Sequence, residues 1–227
     1  MNGLSATLGG LSGSGDLNLA GHGSNIFGKN LTINGTTTEP SLTLATAAGF
    51  TGDFATVTGL PAGYKIEVTE TAVLLVVLSE FELWAEENNL TGDDALITAD
   101  PDNDGKTNLE EFAFDGGPNS GANDDRESVL ITGDGGTDYL TLTVAVRAGA
   151  TFSGDPLTAS IDGITYTILA DDDLVARDLT VVERLDGIAS GGFPEPGPDY
   201  EYRSFRLTSP TTLADAAFIW IGIGQTP

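Results

Sequence analysis

The sequence predicts a mainly β protein in which one short helical segment separates two β regions. Short apolar runs alternate with polar residues at period two in both regions, which is typical of strands with one buried face. A helical spacing of apolar residues occurs between them. We therefore predict a β-strand-repeat segment over residues 1–78, a helix-and-loop linker over 79–118, and a β-sandwich domain over 119–227.

The first region contains short alternating triplets separated by turns rich in Gly and Asn. These triplets are Leu17–Leu19, Leu31–Ile33 and Leu42–Leu44. Short strands that recur in this way fit the successive sides of a β-solenoid or the meander of a sandwich. Two longer runs, Tyr64–Thr69 and Ala72–Val77, predict a β-hairpin at the end of the region.

A short helix is predicted to begin after Ser79. Ser79 and Glu82 form a capping box, in which the hydroxyl accepts the amide of Glu82 and the carboxylate returns to the cap. Phe81, Trp84 and Ala85 then follow at i, i+3 and i+4, so they share one apolar stripe.

The last hundred residues return to the strand period. Turns rich in Gly, Pro and Asp separate the runs, which together predict an antiparallel β-sandwich. The runs are Tyr139–Val146, Ile164–Ile168, Leu179–Val182, Tyr200–Leu207 and Ala217–Ile223. The last run is apolar on both faces, so we expect a central or well-covered strand.

Composition excludes several classes of function. The chain has 9 Lys and Arg against 34 Asp and Glu, a formal net charge of −25 that would repel nucleic acid. With no Cys there is no thiol catalysis, disulfide or thiolate metal site. The single histidine, His22, lies in a Gly-His-Gly turn and argues against a multi-histidine site. No apolar run is long enough for membrane insertion.

One stretch of the sequence matches a known metal-binding pattern. Residues Asp100–Glu111 match the twelve-residue EF-hand pattern D-x-[DN]-x-[DN]-G-x₅-E at every specified position. Alternate residues of a tight loop point inward, Gly105 makes the sharp turn, and the last Glu closes the shell with both oxygens. Carboxylates packed this closely repel one another without a cation. We therefore predict Ca²⁺ as the cofactor, held by Asp100, Asp102, Asp104, the backbone carbonyl of Lys106, Asn108 and Glu111.

The calcium loop departs from a sensor EF-hand in two ways. Thr107 stands at the eighth loop position, where paired hands carry a branched aliphatic residue, and no second matching loop exists in the chain. The capped helix ends near Asn89, well before Asp100, so no entering helix directly abuts the loop. A lone hand between two β regions favours a structural clamp over a switch.

Weaker signals leave two alternatives open. Tyr200, Tyr202 and Trp220 could form a sugar-stacking platform, which would make the last domain a carbohydrate-binding module. A glycoside hydrolase would use two facing carboxylates, and the sequence marks no pair. The clusters Asp124–Asp125 and Asp171–Asp173 are interpreted as solvated turn residues rather than a second cation site.

The order of the parts carries a resemblance to a known family. It rests on Thr51–Phe54, Gly59–Tyr64, Phe81–Trp84, Asp100–Gly105 and Tyr202–Leu207. The chain resembles the C-terminal region of large secreted proteins built from autotransporter-associated β-strand repeats, with a lone dockerin-like calcium loop and a terminal β domain. The resemblance implies that the protein is secreted by a Gram-negative bacterium or lies on its cell surface, and that its role is non-catalytic.

Together these observations predict a secreted or cell-surface structural or adhesive module, non-catalytic, whose calcium loop clamps two β domains. The expected partners are calcium and extracellular polysaccharide or cell-surface components, without nucleic acid. Residues Met1–Leu4 lack the pattern of a signal peptide, which fits either a cytoplasmic chain or a piece of a secreted precursor. With the resemblance, we expect a fragment of a larger secreted precursor.

Overall fold

The computed structural model describes most of the chain and divides it into two compact units. The described residues are 3–7, 17–18, 23–26, 30–34, 36–121, 126–172, 179–184, 192–210 and 217–226. The units are Met1–Leu78 and Ser79–Pro227. The predicted mainly β fold is confirmed. The finer division into three parts stays a prediction.

The described residues of the first unit form nine short strands. They are β1 (Gly3–Thr7), β2 (Leu17–Asn18), β3 (Gly23–Asn25), β4 (Asn30–Asn34), β5 (Ser41–Thr46), β6 (Gly49–Thr51), β7 (Thr56–Thr58), β8 (Tyr64–Val68) and β9 (Ala72–Val77). Strands three apart in sequence pair in parallel: β1 with β4, β4 with β7, β2 with β5 and β3 with β6. A β-solenoid would make such pairings, and the solenoid itself stays a prediction.

The predicted hairpin closes this unit. Strands β8 and β9 pair antiparallel from Tyr64 opposite Val77 to Val68 opposite Val73, and β9 also pairs with β5. The alternating residues of β4 and β9 bury one side each, so Leu31, Val73 and Leu75 lie in a common apolar core.

The second unit contains two sheets that enclose a larger core. Its strands are β10 (Glu127–Asp134), β11 (Thr137–Arg147), β12 (Thr158–Ile161), β13 (Ile164–Asp171), β14 (Val181–Arg184), β15 (Tyr200–Leu207) and β16 (Phe218–Gln225). The sheet orders are β10-β11-β15-β14 and β12-β13-β16, and every pairing is antiparallel. Leu142 and Phe205 from one sheet share a core with Tyr166 and Ile219 from the other.

Two short helices pack on this core. Helix α1 (Glu80–Glu87) begins with the predicted Ser79–Glu82 capping box, and helix α2 (Asn108–Phe114) follows the acidic loop. Phe112 of α2 is buried, and the rings of Phe81 and Trp84 lie 5.4 and 5.6 Å from its ring. The aromatic side chains of α1 therefore hold α2 against the core of the second unit. No helix within the described ranges is long and apolar enough to cross a membrane.

One expectation about the strands is wrong. The run Ala217–Ile223 was expected to form a central or well-covered strand, but β16 stands last in its sheet order among the described residues, and Phe218 is 42% exposed. A run that is apolar on both faces covers the core with one face only here. Trp220 pairs with Leu169 on the face opposite Ile219 and Ile221.

Candidate metal centre

The acidic loop brings three predicted ligands together. One carboxylate oxygen from each of Asp100, Asp102 and Asp104 lies within 4.8 Å of the others. Backbone amides hold the three side chains in place: Asp104 N donates to Asp102 Oδ1 at 3.2 Å, Gly105 N to Asp100 Oδ2 at 3.1 Å, and Lys106 N to Asp104 Oδ1 at 2.8 Å. Gly105 has φ +95°, a conformation that favours glycine.

Two other carboxylate oxygens of this cluster lack a hydrogen-bond donor among the described residues. Asp100 Oδ1 and Asp102 Oδ2 are buried and accept no hydrogen bond from any residue that the structure describes. A buried oxygen without a partner costs roughly 1–3 kcal/mol, and more when it is charged. Each of these two carboxylates thus uses one oxygen to shape the loop, and the other oxygen is available to a cation.

Asn108 adds a neutral oxygen to the same loop. The residue is 0% exposed, and its Nδ2 donates to two carbonyls, Asp94 O at 2.8 Å and Leu96 O at 2.7 Å. Two acceptors at this distance require the amide nitrogen on that side, which fixes the orientation of the group. Its Oδ1 is buried and, within the described part of the chain, has no hydrogen-bond partner.

The segment before the loop is hydrogen-bonded to the end of the loop. It follows a 3₁₀ turn, Gly92–Ala95. Two backbone hydrogen bonds join the segment to the loop, from Asn108 N to Ala99 O at 2.8 Å and from Leu109 N to Ile97 O at 2.9 Å. The acidic loop is therefore supported by its own upstream chain.

Glu111 and Lys106 are the two remaining predicted ligands. Glu111 is 2% exposed on α2, and its carboxylate is not a member of the three-residue cluster. A Cβ on Gly116 would lie 3.0 Å from both Cα and Cβ of Glu111, so a larger residue here would push against Glu111. Lys106 is exposed, as expected of a residue that would offer only its carbonyl.

Helix α2 is tied to the sandwich at its C-terminal end, where helix carbonyls have no partner within the helix. Tyr166 donates its hydroxyl to Ala113 O at 2.7 Å, and Tyr200 donates to Phe112 O at 2.9 Å. Burial raises the pKa of Tyr200 to about 12 and raises that of Tyr166 further, so both hydroxyls keep their protons and remain donors at neutral pH.

Arg147 reinforces the same junction. Its guanidinium carbon lies 4.7 Å from the ring centre of Phe112 and 4.8 Å from that of Tyr200, and its Nε donates to Asp162 Oδ2 at 2.8 Å. The side chain is buried, and a buried cation needs such a partner. The acidic loop is thus continuous, through α2, with the core of the second unit.

Asp115 forms a further link at the end of α2. It has φ 61°, and its Oδ2 accepts from Gly197 N at 2.9 Å and from Arg126 Nη1 at 2.8 Å. Three chain segments therefore meet at one carboxylate.

The donor chemistry fits a hard divalent cation. Every predicted side-chain ligand offers oxygen, and within the described residues the buried oxygens without hydrogen-bond partners include those at the first, third and ninth loop positions. Calcium takes six to eight oxygen ligands, whereas magnesium demands a tighter octahedron and retains water. The residues present therefore fit calcium better than magnesium.

The other sequence candidates do not form a comparable site. Tyr200 is committed to α2, and Tyr202 stacks on Phe193 at 4.8 Å while donating to Pro194 O. They do not form the flat exposed row that sugar stacking needs. The interpretation of Asp171 as a solvated turn residue is wrong, because Asp171 is the buried last residue of β13, whereas Asp172 is exposed as expected. His22, Asp124, Asp125 and Asp173 lie outside the described residues.

Several residues that support the loop were not singled out from the sequence. Thr107 and Glu110 form a second capping box, whose Thr-x-x-Glu signal is visible in the sequence. Tyr166 and Arg147 carry no local signal, because their partners on α2 lie far away in the chain.

Comparison with protein-family models, with curated proteins and with solved structures finds no match for this chain. The resemblance to autotransporter-associated repeat proteins therefore stays a prediction.

Proposed function

We propose that the chain is a non-catalytic, calcium-stabilised structural module. The observation that carries the proposal is the set of buried oxygens without hydrogen-bond partners on Asp100, Asp102 and Asn108, three residues of one EF-hand-like loop. Asp104, the Lys106 carbonyl and Glu111 would complete the ligand set. Calcium would supply the positive charge that these oxygens lack.

The role of the ion would be to hold α2 and the preceding segment on the β unit. The loop buries little apolar surface of its own, since Asn103, Asp104 and Gly105 are all exposed. Its order must therefore come mainly from hydrogen bonds and from the cation. Because α2 is joined to the core through Phe112, an ion bound only by the folded loop stabilises the whole second unit by mass action.

The wider role follows from the acidic composition and from the resemblance. As a secreted or cell-surface module of a larger Gram-negative protein, the chain would serve structure or adhesion, with the loop clamping the two β domains. Extracellular calcium would then keep the protein folded outside the cell.

The direct test is a calorimetric titration of the full chain with CaCl₂ and, in parallel, with MgCl₂. We expect one calcium site per chain and binding of magnesium at least about tenfold weaker. Asp102→Asn, which removes a charge from the cluster, should weaken calcium binding. Asp138→Asn, an exposed acidic residue of β11, is the matched control and should leave it unchanged. Absence of calcium binding at millimolar concentration would overturn the proposal.

A carbohydrate-binding module is the second candidate, and one observation favours it. Trp220, Phe218 and Leu169 lie on the face of the β12-β13-β16 sheet that points away from the core, next to Thr165 and Thr167. An indole beside threonine hydroxyls suits a neutral sugar ring, and the one acidic residue of β13 on this face, Asp171, is buried. Pull-down with insoluble polysaccharides, with and without calcium, tests this candidate. Binding that Trp220→Ala abolishes would favour it over the structural role.

The hydrolase alternative has less support. A cleft of about 450 Å³ beside α2 is lined by Glu110, Glu111 and Glu127, among other residues. Glu110 accepts two hydrogen bonds from Thr107 in the capping box, and Glu111 belongs to the calcium loop. Burial raises the pKa of Glu127, while Lys106 opposes that rise. Glu110 is held by the capping box and Glu111 is assigned to the ligand set, which leaves Glu127 alone among the described carboxylates of the cleft, so the non-catalytic proposal accounts for the cleft better.

A further inference from the structure

Strand β10 presents an apolar edge to solvent. Three consecutive residues, Val129, Leu130 and Ile131, are 43, 48 and 43% exposed. The strand stands first in its sheet order, and β11 is its only strand neighbour among the described residues. Natural proteins blunt free edges with charge, proline or short strands, because an apolar edge pairs with other chains. The eight-residue β10 has no such protection between Ser128 and Gly133.

The hydrogen-bonding groups of this edge can be assigned from the hairpin. Asp134 and Thr137 pair across the two-residue turn Gly135–Gly136, in which both φ values are positive. Residues that flank such a turn bond to each other, and bonding alternates along the strand. The amide of Ala145 donates to Arg126 O, and residue 126 is even-numbered like Asp134. The even-numbered residues of β10 therefore bond to β11. The backbone groups of Val129 and Ile131 therefore point away from β11, to the open side.

The opposite edge of the same sheet differs. Strand β14 has four residues, and its Glu183 forms an ion pair with Arg203 of the neighbouring strand. A short edge with a paired charge resists strand addition. Association through this sheet is therefore directed to β10.

We propose that β10 pairs antiparallel with β10 of a second copy of this chain, so that one sheet runs through both copies. Only the odd-numbered residues of β10 direct their backbone groups to the open side, so only they can form hydrogen bonds with the second copy. Of those registers, one places Leu130 opposite Leu130 of the other copy and Val129 opposite Ile131. It also places Glu127 opposite Gly133 and Ser128 opposite Thr132. A shift by one bonding step sets Glu127 against Ile131 or Gly133 against Val129. Only the centred register therefore places all three apolar residues opposite apolar residues.

Net charge opposes this pairing and gives it a signature. Each copy carries −25, but no residue from Ser128 to Gly133 is charged. The repulsion is therefore long-range and is screened by salt, whereas the apolar contact is not. The dimer should tighten as ionic strength rises, the opposite of an interface built on ion pairs.

Disulfide trapping tests the register directly, because the chain has no cysteine of its own. In the centred register, residue 130 meets its symmetry mate as a non-bonded pair with Cα atoms about 4.5 Å apart, within the range of a disulfide. Leu130→Cys should cross-link to a dimer under mild oxidation. Thr132→Cys lies on the same face, but its symmetry mate is four residues away along the strand, roughly 13 Å, so it should not. Equal cross-linking of the two variants would overturn the register.

Sedimentation velocity of the unmodified chain across a concentration series tests the dimer itself. We expect a monomer–dimer equilibrium whose dissociation constant falls as NaCl is raised. Leu130→Lys sets two like charges opposite each other and should raise that constant about tenfold or more. Val182→Lys changes a 37% exposed apolar residue on β14 and should have no effect. A monomer at every salt and protein concentration, or an equal loss with Val182→Lys, would refute the proposal.

Discussion

Glu111→Gln is expected to remove most of the calcium-dependent stability of the second unit. The change keeps the size of a side chain that is 2% exposed but removes its charge. Without an ion, the buried oxygens of Asp100, Asp102 and Asn108 each cost roughly 1–3 kcal/mol, so an ion that satisfies them has several kcal/mol to recover. Calcium at a hundred times its dissociation constant would stabilise the fold by about 2.7 kcal/mol.

That energy converts to a measurable melting shift. For a domain of about 150 residues, 1 kcal/mol moves the melting temperature by about 2–4 °C, so calcium should raise it by about 5–10 °C relative to excess EGTA. Differential scanning calorimetry of the full chain gives the shift directly. Glu110→Gln is the matched control, because glutamine still completes a capping box. The reasoning is refuted if the parent melts at the same temperature in calcium and EGTA, or if Glu110→Gln and Glu111→Gln lose the response equally.

Three further outcomes follow from the same contacts. Gly116→Ala places a methyl group 3.0 Å from Glu111 and should weaken calcium binding about tenfold, measured by titration, without changing the far-UV spectrum. Tyr200→Phe leaves Phe112 O without its donor and should cost about 1–2 kcal/mol in urea unfolding. The raised pKa of Tyr200 means that the folded state holds this proton more tightly, so its contribution is complete below pH 10 and is lost as pH rises through about 12; the Phe variant should lose less stability over this range, and the loss that remains comes from Tyr166. Chelation should direct limited proteolysis to residues 89–107 while both β units stay resistant, and an unchanged cleavage pattern in EGTA would contradict this expectation.

Local signals account for most of what the sequence predicted correctly. The Ser79–Glu82 capping box and strand Tyr200–Leu207 are confirmed at the residues expected, because each depends on contacts or alternation within a few positions. The spacing of Asp100, Asp102 and Asp104 likewise gathers three carboxylates, since consecutive turns of one loop are enough to do so.

Features that lack a local sequence pattern or depend on distant partners were not predicted. Strand β10 has a continuous apolar run without alternation, so the strand period does not reveal it. The hydroxyl of Tyr166 reaches α2 across more than fifty positions of sequence. The direction of the Asn108 amide depends on Asp94 and Leu96, whose carbonyls carry no sequence signal at all.

The packing of Trp84 on Phe112 gives the protein an intrinsic optical probe. The chain has two tryptophans, Trp84 on α1 and Trp220 on β16. The ring of Trp84 lies 5.6 Å from that of Phe112, one residue beyond Glu111, so its emission depends on how α2 is seated. Trp220→Phe would leave a single tryptophan emitter, and the fluorescence of that variant could report in real time, without any attached dye, whether the acidic loop responds to added calcium.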